Sequence, residues 1–373
     1  MRKRANIERR SYLPIGKHMD FKKIFTGLKI ATTLMENKGK VDQNVVMTAV
    51  FDRRMSDPTS YFDTFQSLYL CSHRDYPALR HYQTLSFPSG NNRLMGYLYR
   101  PAGISKGLIL YVHGIGGSAF DWYAIGINEW LRRDYTVLAI ELTASGHSEG
   151  LGIPSLSQSA FDVAAAVSYV QSRVDLKGMP LFLFGHSWGG YGVTGALSLT
   201  KGVSACAELS GFASPLDEMM GLPAAKLGGV VPGDPKVLED ALIQRAGPNG
   251  NYSAIEGLEK SGVPIFCVHG DKDATVPYRK ADIASKAKGL RNATIRILRG
   301  RDHVDVFFSD SSVSMRQKAL EKVNAYTKEY GKSLSKIPPA ALEIIKKEFD
   351  RFACSEINMP LFDEIDAFFQ KHA

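Results

Sequence analysis

The stretch Leu181-Phe182-Leu183-Phe184-Gly185-His186-Ser187-Trp188-Gly189-Gly190-Tyr191-Gly192 decides the fold. Four apolar residues suit a central strand covered on both faces, and the small-residue run from Gly190 begins a helix. Between them sits Gly-x-Ser-x-Gly. A serine meant to react must stand on a sharp strand-to-helix turn, with glycine two residues to either side so that neighbouring backbone can pass closely, and with a helix N-terminus behind the developing charge. The pentapeptide alone is a weak signal. Gly146-His147-Ser148-Glu149-Gly150 matches it too, but follows a loop and runs into Leu151-Gly152-Ile153-Pro154 rather than a helix. Ser187 is therefore the candidate nucleophile, and Ser148 a loop hydroxyl.

Outward from this turn the pattern is regular. Strand-like runs occur at Thr84–Phe87, Leu94–Tyr99, Leu108–Val112, Val137–Ile140, Leu181–Phe184, Val203–Ala207, Ile265–Val268 and Ile295–Leu298. Helical stretches at Phe120–Arg132, Ser159–Arg173, Tyr191–Leu199 and Arg279–Lys288 are long enough for parallel crossovers. The fold class expected is α/β, a mostly parallel eight-stranded sheet with helices on both faces.

Two segments break the alternation. Residues 211 to about 262, rich in Gly and Pro and holding Met219, Met220, Leu222, Leu227 and Val230, read as a cap insertion over the carboxyl edge of the sheet, governing the acyl group accepted. After residue 331 two proline-started amphipathic helices follow, one from Pro338-Pro339 and one from Pro360. The expected organisation is thus 1–81 as a basic N-terminal helical extension, 82–331 as the catalytic domain, and 332–373 as a C-terminal helical extension.

The net charge of +8 sits at one end. Residues 1–40 hold eleven Lys or Arg against three acids, which leaves the remaining chain balanced at 35 of each. A basic groove across the body is excluded, and nucleic acid with it. In the arm, Phe21, Ile24, Phe25, Leu28 and Met35 fall at helical spacing among lysines; such a helix packs on the body or lies on an anionic membrane surface. Its apolar runs are too short for a secretory signal or a span. Cys71, Cys206, Cys267 and Cys354 form no CxxC pair and read as buried thiols, for which a reducing cytoplasmic setting is the expectation.

A reactive serine needs a base, and a histidine base needs a partner that fixes its tautomer. Two loops supply candidates, each following a strand: His269-Gly270-Asp271-Lys272-Asp273-Ala274-Thr275-Val276-Pro277 and Gly300-Arg301-Asp302-His303. The chain order is Ser, Asp, His. A metal site from His269, Asp271 and Asp273 is the competing use of the first loop.

With His113-Gly114-Ile115-Gly116-Gly117 after the third strand, these motifs together resemble the α/β-hydrolase family over residues 82 to about 330. The resemblance implies Asp273 rather than Asp271 as the triad acid, three residues after the glycine of His269-Gly270. It implies His303 as the base, and the backbone N–H groups of Ile115 and Trp188 as the oxyanion hole. The Ile115 and Trp188 side chains are expected to border the acyl site, Trp188 narrowing it. The activity implied is carboxylesterase-like, through an acyl-enzyme on Ser187 and without a cofactor. The same constellation serves thioesterases, amidases, peptidases and acyltransferases, and a ligand-binding protein of this fold that has lost turnover is the alternative of another class.

Overall fold

The computed structural model describes residues 47, 50–58, 64–221, 234–331 and 334–373. The proposed amphipathic helix of the basic arm and the cap residues Leu222, Leu227 and Val230 lie outside them.

Eight strands form one sheet: β1 Gln83–Ser89, β2 Asn92–Tyr99, β3 Leu108–Val112, β4 Thr136–Glu141, β5 Leu181–His186, β6 Ala205–Leu209, β7 Ile265–Gly270 and β8 Ala293–Leu298. Their spatial order is β1-β2-β4-β3-β5-β6-β7-β8. The β1–β2 and β2–β4 pairs are antiparallel and the others parallel. β3 to β7 are buried throughout because both faces are covered, which is why they read as unbroken apolar runs.

The pleat sends alternate residues to two cores. Leu108, Leu110 and Val112 of β3 pack on one face with helices α2 (Gln158–Ser172), α3 (Trp188–Gly195), α5 (Pro235–Ala246) and α6 (Ala254–Ser261). Ile109 and Tyr111 face the other, against α1 (Ala124–Arg132), α7 (Asp310–Tyr330), α8 (Pro339–Lys346) and α9 (Met359–Lys371). Between β6 and β7 the described chain holds α4 (Pro215–Gly221), α5 and α6. Of these, α6 packs on the sheet beside α3, with Ala254 and Leu258 fully buried.

Two expected helices start late. Only Ile283–Lys286 is helical within Arg279–Lys288, because the Asp282 carboxylate accepts from the N–H groups of Arg279 and Ser285, turning the chain before the helix begins. The helix expected from Phe120 starts at Ala124, after Asp121 has closed a turn on Ser118 and Tyr123. All four cysteines are buried and free.

The C-terminal helix is part of the main core. Phe369 stacks on Phe182 of β5 at 4.7 Å and Phe362 packs on Trp130 of α1 at 5.2 Å. Phe369→Ala should therefore cost about 3–5 kcal/mol, as for any large core truncation. Urea unfolding of the purified variant checks this; a loss below 1 kcal/mol would mean that α9 is peripheral.

Candidate active site

Ser187 joins β5 to α3 in a conformation that side chains avoid, with φ 58° and ψ −120°. The surroundings enforce it. A β carbon on Gly185 would run into the Gly189 carbonyl and lie 2.9 Å from the Gly190 nitrogen, and one on Gly189 would strike the Val112 carbonyl and lie 2.7 Å from that of His113. Both flanking glycines are required by backbone, not by flexible side chains. The turn is then fixed by Ser187 N–H donating to Leu209 O of β6 at 2.8 Å and Tyr191 N–H to Ser187 O at 2.9 Å.

Asp273 and His303 leave the carboxyl ends of β7 and β8, and His303 Nδ1 lies 2.7 Å from Asp273 Oδ2. The other carboxylate oxygen accepts from the N–H groups of Thr275 and Val276 at 2.7 and 2.8 Å, so the carboxylate cannot rotate away. Burial pushes the Asp273 pKa up, but the adjacent His303 offsets this by charge and hydrogen bond, and the group is held below its ordinary value. An ionised Asp273 accepts, so His303 Nδ1 carries a proton, and in the neutral ring Nε2 is the acceptor. His269, fully buried, donates from Nε2 to Val276 O at 2.9 Å and so braces the same loop. Asp271 only closes a turn, accepting from Gly300 N–H at 2.7 Å.

The Ser187 hydroxyl has no hydrogen-bond partner among the described residues. Its neighbour makes the connection: His186 Nε2 donates to the His303 carbonyl at 2.9 Å, with the two rings 4.8 Å apart.

On the other side of Ser187 lies the loop after β3. Gly114 approaches so closely that a β carbon there would be 3.0 Å from Ser187 Cβ. The Gly114 carbonyl accepts from His113 Nδ1 at 2.7 Å and from Gly117 N–H at 3.1 Å. Because a trans peptide is planar, this fixes the Ile115 N–H in the opposite direction. Neither the Ile115 nor the Trp188 N–H has an acceptor among the described residues, the latter because it opens a helix. The Trp188 side chain departs from expectation. Its indole is fully buried and donates to Leu156 O at 2.7 Å, so it anchors the chain before α2 and presents no wall to an open pocket.

Ser148 is a structural hydroxyl, fully buried, donating to Glu141 O at 2.6 Å and accepting from Met95 N–H at 2.9 Å. Residues that sequence reasoning missed are Tyr123, whose hydroxyl joins Gly114 N to His186 Nδ1 at 2.9 and 2.7 Å, and the segment around Arg54 and Ser56. No spacing signal marks either.

Strand order, elbow and loop placement decide the fold, and residues 103–227 fit the model of the serine aminopeptidase S33 family. The chain has the α/β-hydrolase fold. No curated protein matches it in sequence. Similar solved structures include an esterase of Pyrococcus furiosus, 17% identical with TM-score 0.48 over 67% of this chain and 91% of that one. Est1E from Butyrivibrio proteoclasticus with ferulic acid bound is 20% identical, TM-score 0.47, over 66% and 98%. An acylaminoacyl peptidase of Pyrococcus horikoshii is 16% identical, TM-score 0.47, over 68% and 42%.

Two outcomes are expected from this geometry. Ser148→Ala should leave turnover within a few-fold while lowering stability by about 1–3 kcal/mol, since Met95 N–H and Glu141 O lose a buried partner; parallel kinetics and urea melts check it. The second concerns acid. Burial, and then the charge of His303, push the His186 pKa down to about 3, whereas an unfolded histidine titrates near 6.5. As pH falls below about 6.5 the unfolded chain binds a proton that the fold refuses, so stability declines from there down to about 3, by up to ~1.4 kcal/mol per unit. His186→Gln should flatten that slope.

Proposed function

We propose that this α/β-hydrolase cleaves a carboxylic ester through an acyl-enzyme on Ser187. The observation that carries the reading is the 2.7 Å bond between His303 and a pinned Asp273, brought to the Ser187 turn through His186.

In this reading Ser187 Oγ attacks the acyl carbonyl carbon as its proton passes to His303 Nε2. The tetrahedral oxyanion is received by the N–H groups of Ile115 and Trp188, whose directions are set before substrate arrives. Asp273 holds the His303 tautomer and stabilises the imidazolium. Collapse expels the alcohol, which takes the proton from His303. Water, deprotonated by the same Nε2, then attacks the acyl-enzyme and releases the acid and free Ser187. No cofactor enters these steps.

The matched family model describes aminopeptidases, and this favours a second reading in which an aminoacyl amide is cleaved by the same groups. Aryl esters of graded acyl length, assayed beside aminoacyl anilides, separate the two: the ester reading requires the larger kcat/KM on the esters.

Ser187→Ala and His303→Ala should each lower kcat by roughly three decades or more in folded protein, and Ser187→Ala should abolish labelling by a fluorophosphonate. Asp273→Asn should cost about four decades near neutral pH, while Asp271→Asn costs little. Near-wild-type turnover in folded Ser187→Ala would end this assignment, and the reverse ranking of the aspartates would move the acid.

A further inference from the structure

Tyr123 lies at the entry to α1, buried to 4% exposure, and its hydroxyl touches two pieces of the site at once. Gly114 N–H can only donate, so the tyrosine oxygen accepts it at 2.9 Å. The single phenolic proton is then left for His186 Nδ1, 2.7 Å away. From the far end the same answer follows independently. The His303 carbonyl can only accept, so His186 carries its proton on Nε2, and the neutral ring must have a bare Nδ1. The chain of donation therefore runs one way, from Gly114 N–H to Tyr123 Oη, from Tyr123 O–H to His186 Nδ1, and from His186 Nε2–H to His303 O.

We propose that Tyr123 is a positioning residue for the reaction, locking the loop that carries the Ile115 N–H and the loop that carries His303 to the Ser187 turn through one directed hydrogen-bond relay. The inference rests on the esterase reading above. Three features make the relay specific. Gly114 is gripped at both ends, its N–H by Tyr123 and its carbonyl by His113 and Gly117, so the Gly114–Ile115 peptide cannot rotate. The phenolic proton and the His303 carbonyl select the same His186 tautomer; the alternative would place a lone pair on Nε2 against that carbonyl oxygen and break the tie. Finally the tyrosine ring is itself clamped, stacked on Trp122 at 4.1 Å and edge-on to Phe307 at 6.4 Å, so its hydroxyl stays where the ring packing puts it. Tyr123 touches no reacting atom and acts through Gly114 and His186.

Tyr123→Phe removes one oxygen and keeps the ring. In that variant kcat and the rate of Ser187 phosphonylation should fall together, on the order of 10–100-fold, as for a misplaced catalytic geometry. KM should stay within about twofold, because the substrate-binding surface is untouched. His186→Gln keeps an N–H for the His303 carbonyl while withdrawing the acceptor that faces Tyr123. Combined with Tyr123→Phe it should cost hardly more than the worse single variant, since both break one relay. Wild-type kcat and labelling rate in folded Tyr123→Phe would overturn the proposal, as would full additivity in the double variant. Should Tyr123→Phe fail to fold, an unchanged kcat in His186→Gln overturns it alone. Wild-type protein that takes no fluorophosphonate on Ser187 would instead defeat the esterase reading beneath it.

Discussion

The backbone of Gly189 passes so near the carbonyls of Val112 and His113 that no side chain can stand there. The rest of the site depends on that approach. It presses the first turn of α3 onto the end of β3, which forces Ser187 into its strained turn and puts the serine beside Gly114. From the same contact follows the start of α3 at Trp188, whose N–H has no acceptor among the described residues. One steric constraint between α3 and the end of β3 thus sets Ser187 on its turn beside Gly114.

Electrostatics at the site is set by burial opposed by few, well-placed partners. His113 and His186 are buried and held neutral, each with one ring nitrogen facing a backbone carbonyl. Asp273 is held below its ordinary pKa at depth, because His303 and backbone N–H groups offset its desolvation. Neutral histidines that organise loops and one carboxylate that faces a histidine are what distinguish scaffold from chemistry in this cluster, although all are imidazoles or carboxylates within one small volume.

All eight strands were legible, five of them, β3 to β7, because short apolar runs covered on both faces leave an unmistakable trace. Ser187, Asp273 and His303 could be placed at one sheet edge by the same token: each follows a strand. What escaped depended on side chains meeting across the chain. Asp282 and Asp121 delay helices by capping turns, which composition alone does not announce. Trp188 was expected at a pocket wall, yet its indole finds Leu156 O and sinks into the core. Tyr123 carries no motif, since its significance lies in meeting His186, 63 positions away.

The segments flanking the matched region are not ornaments on a finished domain. Ser56 accepts from Gly146 N–H and donates to Gly117 O, and the Arg54 guanidinium reaches the carbonyls of Gly146, Ser148 and Gly150, so the chain before β1 ties the loop after β3 to the loop after β4. At the other end Asn358 N–H donates to Phe307 O and Ser309 N–H to Glu356 O, while Arg316 of α7 pairs with Asp305. These contacts hold the chain just beyond His303. A loop that must keep a catalytic geometry cannot rely on its own few backbone bonds, because ordering each residue costs about 1–2 kcal/mol. Here the two loops that flank Ser187 are each secured by chain from outside the core, so the precision of the site is a property of the whole length of the described protein.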